Sequence, residues 1–105
     1  MTTLREEAAK SLRRAVTVLE TDGWTQGTAK DSEGRRCAVG ALMDDGSCRT
    51  RSSDECHLIF EVIVTTLSEV IDNFSISGWN DVPGRTVEEV KAALLEAANR
   101  LDREE

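Results

Sequence analysis

Two short signatures, Thr3-Leu4-Arg5-Glu6 and Thr86-Val87-Glu88-Glu89, each set a hydroxyl three residues ahead of a glutamate at the head of a helically spaced apolar stripe. The hydroxyl accepts one orphan N–H of the first helical turn and the glutamate reaches back to another, so the pattern fixes where a helix starts. After the first signature, Leu4, Ala8, Leu12, Ala15 and Leu19 form the stripe with Val16 beside them, and Gly23 is the expected stop. After the second, Val87, Val90, Leu94, Ala97, Ala98 and Leu101 do the same. Between them Ser53 is expected to cap a helix over residues 54–73. Ile59, Phe60, Ile63, Val64, Leu67, Val70, Ile71 and Phe74 fill one broad arc of it, and Asp54, Glu61, Thr65, Glu69 and Asp72 the opposite stripe. The width of that arc predicts a central helix that the others cover, with only its acidic edge in water.

The helical period disappears between Trp24 and Cys37. Asp31-Ser32-Glu33-Gly34 offers turn chemistry between Thr25–Lys30 and Arg35–Ala38, which predicts a short β-hairpin lying against helices. Cys37 to Met43 follows as a very short helix, with Ala38, Gly40 and Ala41 small enough to approach the central helix closely and Asp44-Asp45-Gly46 ending it. Ser75 to Arg85, which holds Gly78, Pro83 and Gly84, reads as a loop. With 105 residues there is material for one hydrophobic core. The expected fold is a single mainly α domain (α+β minor) over residues 1–105, with four helices, the second very short, and a hairpin between helices one and two.

Formal charge is −7, and its distribution says more than its total. Residues 53–79 hold Asp54, Glu55, Glu61, Glu69 and Asp72 with no Lys or Arg. Such a field repels phosphate backbones and anionic lipid, which argues against direct binding to nucleic acid or a membrane surface. It favours a protein partner with a basic surface, and an acidic strip of this kind can imitate phosphates toward a nucleic-acid-binding protein. The apolar run Leu58-Ile59-Phe60-Glu61-Val62-Ile63-Val64 is interrupted and too short to span a bilayer. Charges spaced through Thr3–Glu7 leave no apolar signal-peptide region, so a cytosolic protein is expected. Homo-oligomers are compatible with the broad apolar arc.

Reactive residue types are present but not arranged in a known signature. Cys37, His57 and Asn80 or Asp81 follow the chain order of a papain-like protease, with Cys37 at the start of a short helix, a favourable place for a nucleophilic thiol. Order alone is weak evidence, and the plain alternative is a small buried thiol and a first-turn histidine. Cys37, Cys48, Cys56 and His57 have the stoichiometry of a zinc site but no C-x2-C or H-x3-H spacing, so no metal and no cofactor is expected. Gly23 and Gly27 precede no lysine-serine pair, which leaves no phosphate-cradling loop.

Both tryptophans sit in glycine-punctuated polar turns, Gly23-Trp24-Thr25-Gln26-Gly27 and Gly78-Trp79-Asn80-Asp81. Together with Cys37-Ala38-Val39-Gly40-Ala41-Leu42, Arg85-Thr86 and Glu89-Val90, these motifs resemble a family of small proteins from actinobacteria and their phages. The resemblance covers most of the chain and implies a cytosolic protein of that context; it carries no activity and no site residue. On the residues themselves two readings stand. In one the motif residues are hinges and plugs, with Trp24 packed where helix one meets the hairpin and Arg85 paired with Asp81. In the other Trp24, Gln26, Trp79, Asn80, Asp81 and Arg85 converge on a rim suited to a small ligand or a partner's hot spot. The function expected from the whole is a non-enzymatic interaction protein, of the kind of a phage regulator or inhibitor. It would engage a host protein through Glu61, Glu69 and Asp72, the tryptophan turns, or both. The alternatives are a small cysteine-dependent hydrolase or transferase and a small-ligand binder.

Overall fold

The computed structural model describes residues 3–43 and 52–103, and Cys48 and the turn at Asp44-Asp45-Gly46 lie outside them. Five helices run through the described residues: α1 (Leu4–Asp22), α2 (Ala38–Met43), α3 (Ser53–Ile71), α4 (Ile76–Asn80) and α5 (Val87–Arg103). Thr3 caps α1 through a complete capping box with Glu6, and Gly23, at φ 93°, ends it by donating its N–H to Leu19 O. Thr86 and Glu89 close a second capping box ahead of α5, with Glu89 N–H donating to Thr86 Oγ1 at 3.2 Å and Thr86 N–H to Glu89 Oε1 at 2.9 Å. Ser52 caps α3 by accepting the Glu55 N–H, one residue earlier than the expected Ser53, and Asp72 ends it in the left-handed region.

The class is mainly α, and the expected architecture needs correcting in two places. No strand or sheet forms among the described residues. Residues 24–36 make only isolated bridges, Trp24 with Arg36 in parallel sense and Lys30 with Arg36 in antiparallel sense, so the β-hairpin is absent. Turn chemistry at 31–34 is real, since Gly34 N–H donates to Asp31 O at 3.1 Å. The two arms do bond to each other, Thr25 N–H to Arg36 O at 2.9 Å and Cys37 N–H to Ala29 O at 3.1 Å, but Thr25 O and the Gly27 N–H go to Asn80 and Asp81, so these bonds never join into one ladder. The second correction is a fifth helix inside the expected 75–85 loop: Ser75 Oγ accepts the Gly78 N–H and starts α4, which carries Trp79.

Packing also departs from expectation. α3 is not the central helix; α1 packs most extensively on α5, and α3 lies against both. Ala8, Ala15, Ala97 and Ala98 are fully buried. Their small side chains permit close approach of α1 and α5, and Leu12, Val90 and Leu94 fill the core around them, with Leu67 reaching in from α3. Each such buried aliphatic side chain stabilises the fold by roughly 1.5–3 kcal/mol. Ile59 and Ile63 are also buried, but Phe60, Val64, Val70 and Ile71 are only partly covered and Phe74 is fully exposed. α2 packs on α1, and α4 touches both α2 and α3. Gly40 was expected to bring α2 against the central helix. It meets the irregular segment instead, where an added Cβ would lie 2.0 Å from Ala29 O.

Candidate functional site

The motif residues around the two tryptophans meet at the side chain of Asn80, which is fully buried. Its Oδ1 accepts from Trp24 Nε1 at 2.7 Å and from the Ala38 N–H at 3.0 Å. Its Nδ2 donates to Thr25 O at 3.2 Å and to Asp81 Oδ1 at 2.9 Å. All four hydrogen-bonding positions of the amide are therefore filled, and the orientation is unambiguous: a flipped amide would set its NH2 against two obligate donors. Around it Gln26 Nε2 donates to the carbonyls of Asn80 and Val82, both at 3.0 Å, and the Gly27 N–H donates to Asp81 Oδ1 at 2.9 Å. One buried side chain thus ties the start of the 24–36 segment, the start of α2 and the end of α4 together.

Electrostatics follow from that geometry. The Gly27 N–H, with the Asn80 amide second, holds the Asp81 carboxyl below the ordinary Asp range against a smaller opposing effect of burial. Arg85 does not pair with Asp81, as the sequence led one to expect. It lies over the Trp79 ring at 4.1 Å from the centroid, donates Nε to Trp79 O at 3.0 Å, and meets Glu89 at 3.2 Å. Trp24 and Trp79 are both half-buried. The rim residues Trp24, Gln26, Trp79, Asn80, Asp81 and Arg85 do come together, and most of their polar atoms are occupied by one another. The depression beside them, about 150 Å3, is lined by Gly27, Thr28, Ala29, Cys37, Val39, Ser77 and Asp81 and by neither indole.

Cys37 and His57 are not brought together. Cys37 is buried, and its Sγ accepts the Gly40 N–H at 3.4 Å, an N-cap role at α2. His57 is exposed on the first turns of α3, where Nε2 sits 3.1 Å from Glu61 Oε1. The thiol–imidazole hydrogen bond that a Cys–His pair needs is not made. Among the described residues no group of three or more His, Cys, Asp or Glu is placed to hold a metal ion.

The remaining candidates, Glu61, Glu69 and Asp72, lie on the outer face of α3, all exposed. A groove of about 500 Å3 there is lined by Val64, Thr65, Ser68, Glu69, Asp72, Asn73 and Phe74. A second, of about 390 Å3, is lined by Leu4, Arg5, Leu58, Glu61, Val62, Thr65, Thr66 and Glu69. Sequence reasoning missed the apolar part of this face, because it placed Phe74 in the buried arc. The available signal was Asp72-Asn73: once the helix ends, the helical wheel no longer says where residue 74 points.

Fold and site together define a small, mainly helical protein, with five helices among the described residues, a buried asparagine latch on one flank and an acidic, partly apolar face on α3. The chain belongs to DUF6197, a family of unknown function, whose family model matches residues 3–100. No curated protein and no solved structure matches it. Among the described residues no helix is long and apolar enough to cross a membrane.

Proposed function

We propose that this protein is a non-enzymatic interaction module that binds a basic surface of a host or cellular protein through the outer face of α3. We place it in the cytoplasm, as a regulator or inhibitor in an actinobacterial or phage setting. The observation that carries the reading is the company Phe74 keeps: a fully exposed ring borders a groove with Glu69 and Asp72, in a stretch without Lys or Arg from 53 to 79. Exposed aromatic rings flanked by like-signed charges are the composition of an anchor with a steering field.

Magnitudes divide the labour between these groups. An exposed ion pair contributes roughly 0–1 kcal/mol, whereas covering an aromatic side chain of this size stabilises a complex by about 2 kcal/mol. Affinity on this reading comes mainly from Phe74 and its apolar neighbours. Glu61, Glu69 and Asp72 set the sign of the partner and raise the association rate, so binding weakens as salt rises. The Asn80 cluster serves the fold, because a latch whose amide is fully satisfied has little left to offer a ligand.

Affinity capture from actinobacterial lysate tests the reading. Wild-type protein should retain a defined basic partner that Glu61→Lys with Glu69→Lys releases. Equal retention by both proteins, or retention of nothing, counts against it.

A further inference from the structure

On α3, residues four apart form one surface row, here His57, Glu61, Thr65 and Glu69, all facing solvent. The two grooves lie on either side of that row. The smaller has Leu4 and Arg5 of α1 on its wall, and the larger runs past Val64 and Ser68 to Asp72 and Phe74.

We propose that the Phe74 groove is the seat of a basic amphipathic α-helix supplied by the protein partner, an inference that rests on the reading that this face binds protein. Charge selects the groove. Glu69 and Asp72 stand at the C-terminal end of α3, where the unpaired carbonyls add a negative pole, and the last turn has no basic residue to offset it. The other groove sets Arg5 beside Glu61 and Glu69, which leaves it the smaller net negative charge.

Shape and chemistry select the helix. Val64 is only partly covered, Ser68 is small, and Phe74 stands free as a wall, which gives an apolar floor with one aromatic side. From Val64 to Asp72 the groove runs about 12 Å, a little over two turns of a docked helix, enough for anchors at i, i+4 and i+7. Other modes of segment recognition lack their requirements. Strand addition needs a sheet edge, and the described residues contain no strand. Polyproline recognition needs several aromatic rings side by side, whereas Phe74 is the single ring lining this groove among the described residues, with Trp24 bonded to Asn80 and Trp79 stacked under Arg85 elsewhere. Phosphopeptide recognition needs an arginine cluster, and residues 53–79 hold no Lys or Arg. A second copy would bring the same carboxylates face to face.

The probe is a panel of dye-labelled synthetic helices of about 18 residues, each with a leucine stripe at i, i+4 and i+7 and lysines beside it at different angular offsets. Each has a partner of identical composition with the period scrambled. Fluorescence anisotropy against the full chain should show at least one patterned peptide binding about tenfold tighter than its scramble, with that margin lost in Phe74→Ala and in Glu69→Lys with Asp72→Lys. Glu96→Lys, a carboxylate on α5, should leave the margin unchanged; circular dichroism checks that every variant is folded. Equal binding of patterned and scrambled peptides overturns the proposal, as does a margin that survives Phe74→Ala. A dimer of the chain that Phe74→Ala dissolves overturns it too, by assigning the groove to a second copy. If the peptides fail while lysate capture still depends on Glu61 and Glu69, the helix is wrong and the protein-binding reading stands.

Discussion

Trp24 Nε1 and Asn80 Oδ1, 56 residues apart in the chain, meet at 2.7 Å, and the same oxygen accepts the Ala38 N–H that begins α2. A single amide therefore couples three segments that have no strand or disulfide among the described residues to hold them in register. Buried networks of this kind are stabilising only while every member has its partner.

Asn80→Leu keeps the volume and removes all four hydrogen bonds. It strands Trp24 Nε1 and the Ala38 N–H in a buried place, and the expected loss is about 3 kcal/mol. Urea denaturation followed by tryptophan fluorescence reads it, and a red shift of the native emission should accompany the loss as Trp24 loosens. An unchanged midpoint would mean that the cluster is not a latch.

Gly40→Ala should cost about 3 kcal/mol or more, because the new methyl would need to occupy the position of Ala29 O and backbone must move. Gly27→Ala makes a useful contrast. Gly27 has φ +84° but open space where a Cβ would sit. Only the left-handed backbone is penalised there, about 1 kcal/mol. Thermal melts of the two variants side by side check the ranking.

Asp81 provides a pH signature. Its folded-state acidity lies below its ordinary value, so it contributes stability that is present above the unfolded pKa and is lost as pH falls through the folded one. Glu89, held down chiefly by the Thr86 N–H of the second capping box, has the same sign. Chemical denaturation as a function of pH should show stability falling from about pH 4 downward, and Asp81→Asn should flatten part of that slope. A wild-type profile that rises toward low pH would contradict the hydrogen bonds assigned to both carboxylates.

Phe74→Ala should leave the melting temperature within about 1 °C of wild type, since a fully exposed ring contributes almost no buried area to the fold. A large destabilisation would show that Phe74 is covered in solution and that the α3 face is not the free surface described.

How much of this was legible in the sequence depended on how local the signal was. Thr3 with Glu6 and Thr86 with Glu89 place helix starts from within four residues, and the stripes through Leu12 and Leu94 need only one helix to be read. The hairpin reading of 24–37 failed because nothing local shows that Asn80 takes the Thr25 carbonyl and Asp81 the Gly27 N–H, which leaves the arms joined by scattered bonds such as Thr25 N–H to Arg36 O. Helix α4 is five residues long, shorter than any period can reveal, and Gly78 in its middle looked like loop. Alanines hid the centre of the molecule: the α1–α5 pair is joined through small residues that weigh little in an apolar count, while the β-branched arc of α3 weighs heavily and is half-covered. At the site, the meeting of the tryptophan motifs was one of two readings their residues allowed, whereas the Arg85 contact with Trp79 depended on the unforeseen α4.

The most direct measurement of the central claim is paired photocrosslinking, with a photoreactive side chain at Thr65 on the α3 face in one protein and at Val82 beside the Asn80 latch in another. In cells that contain the partner, the expected result is one defined adduct from position 65, abolished by Glu61→Lys with Glu69→Lys, and none from position 82. An adduct from position 82 with nothing from position 65 would contradict the assignment of recognition to α3 and return it to the tryptophan rim.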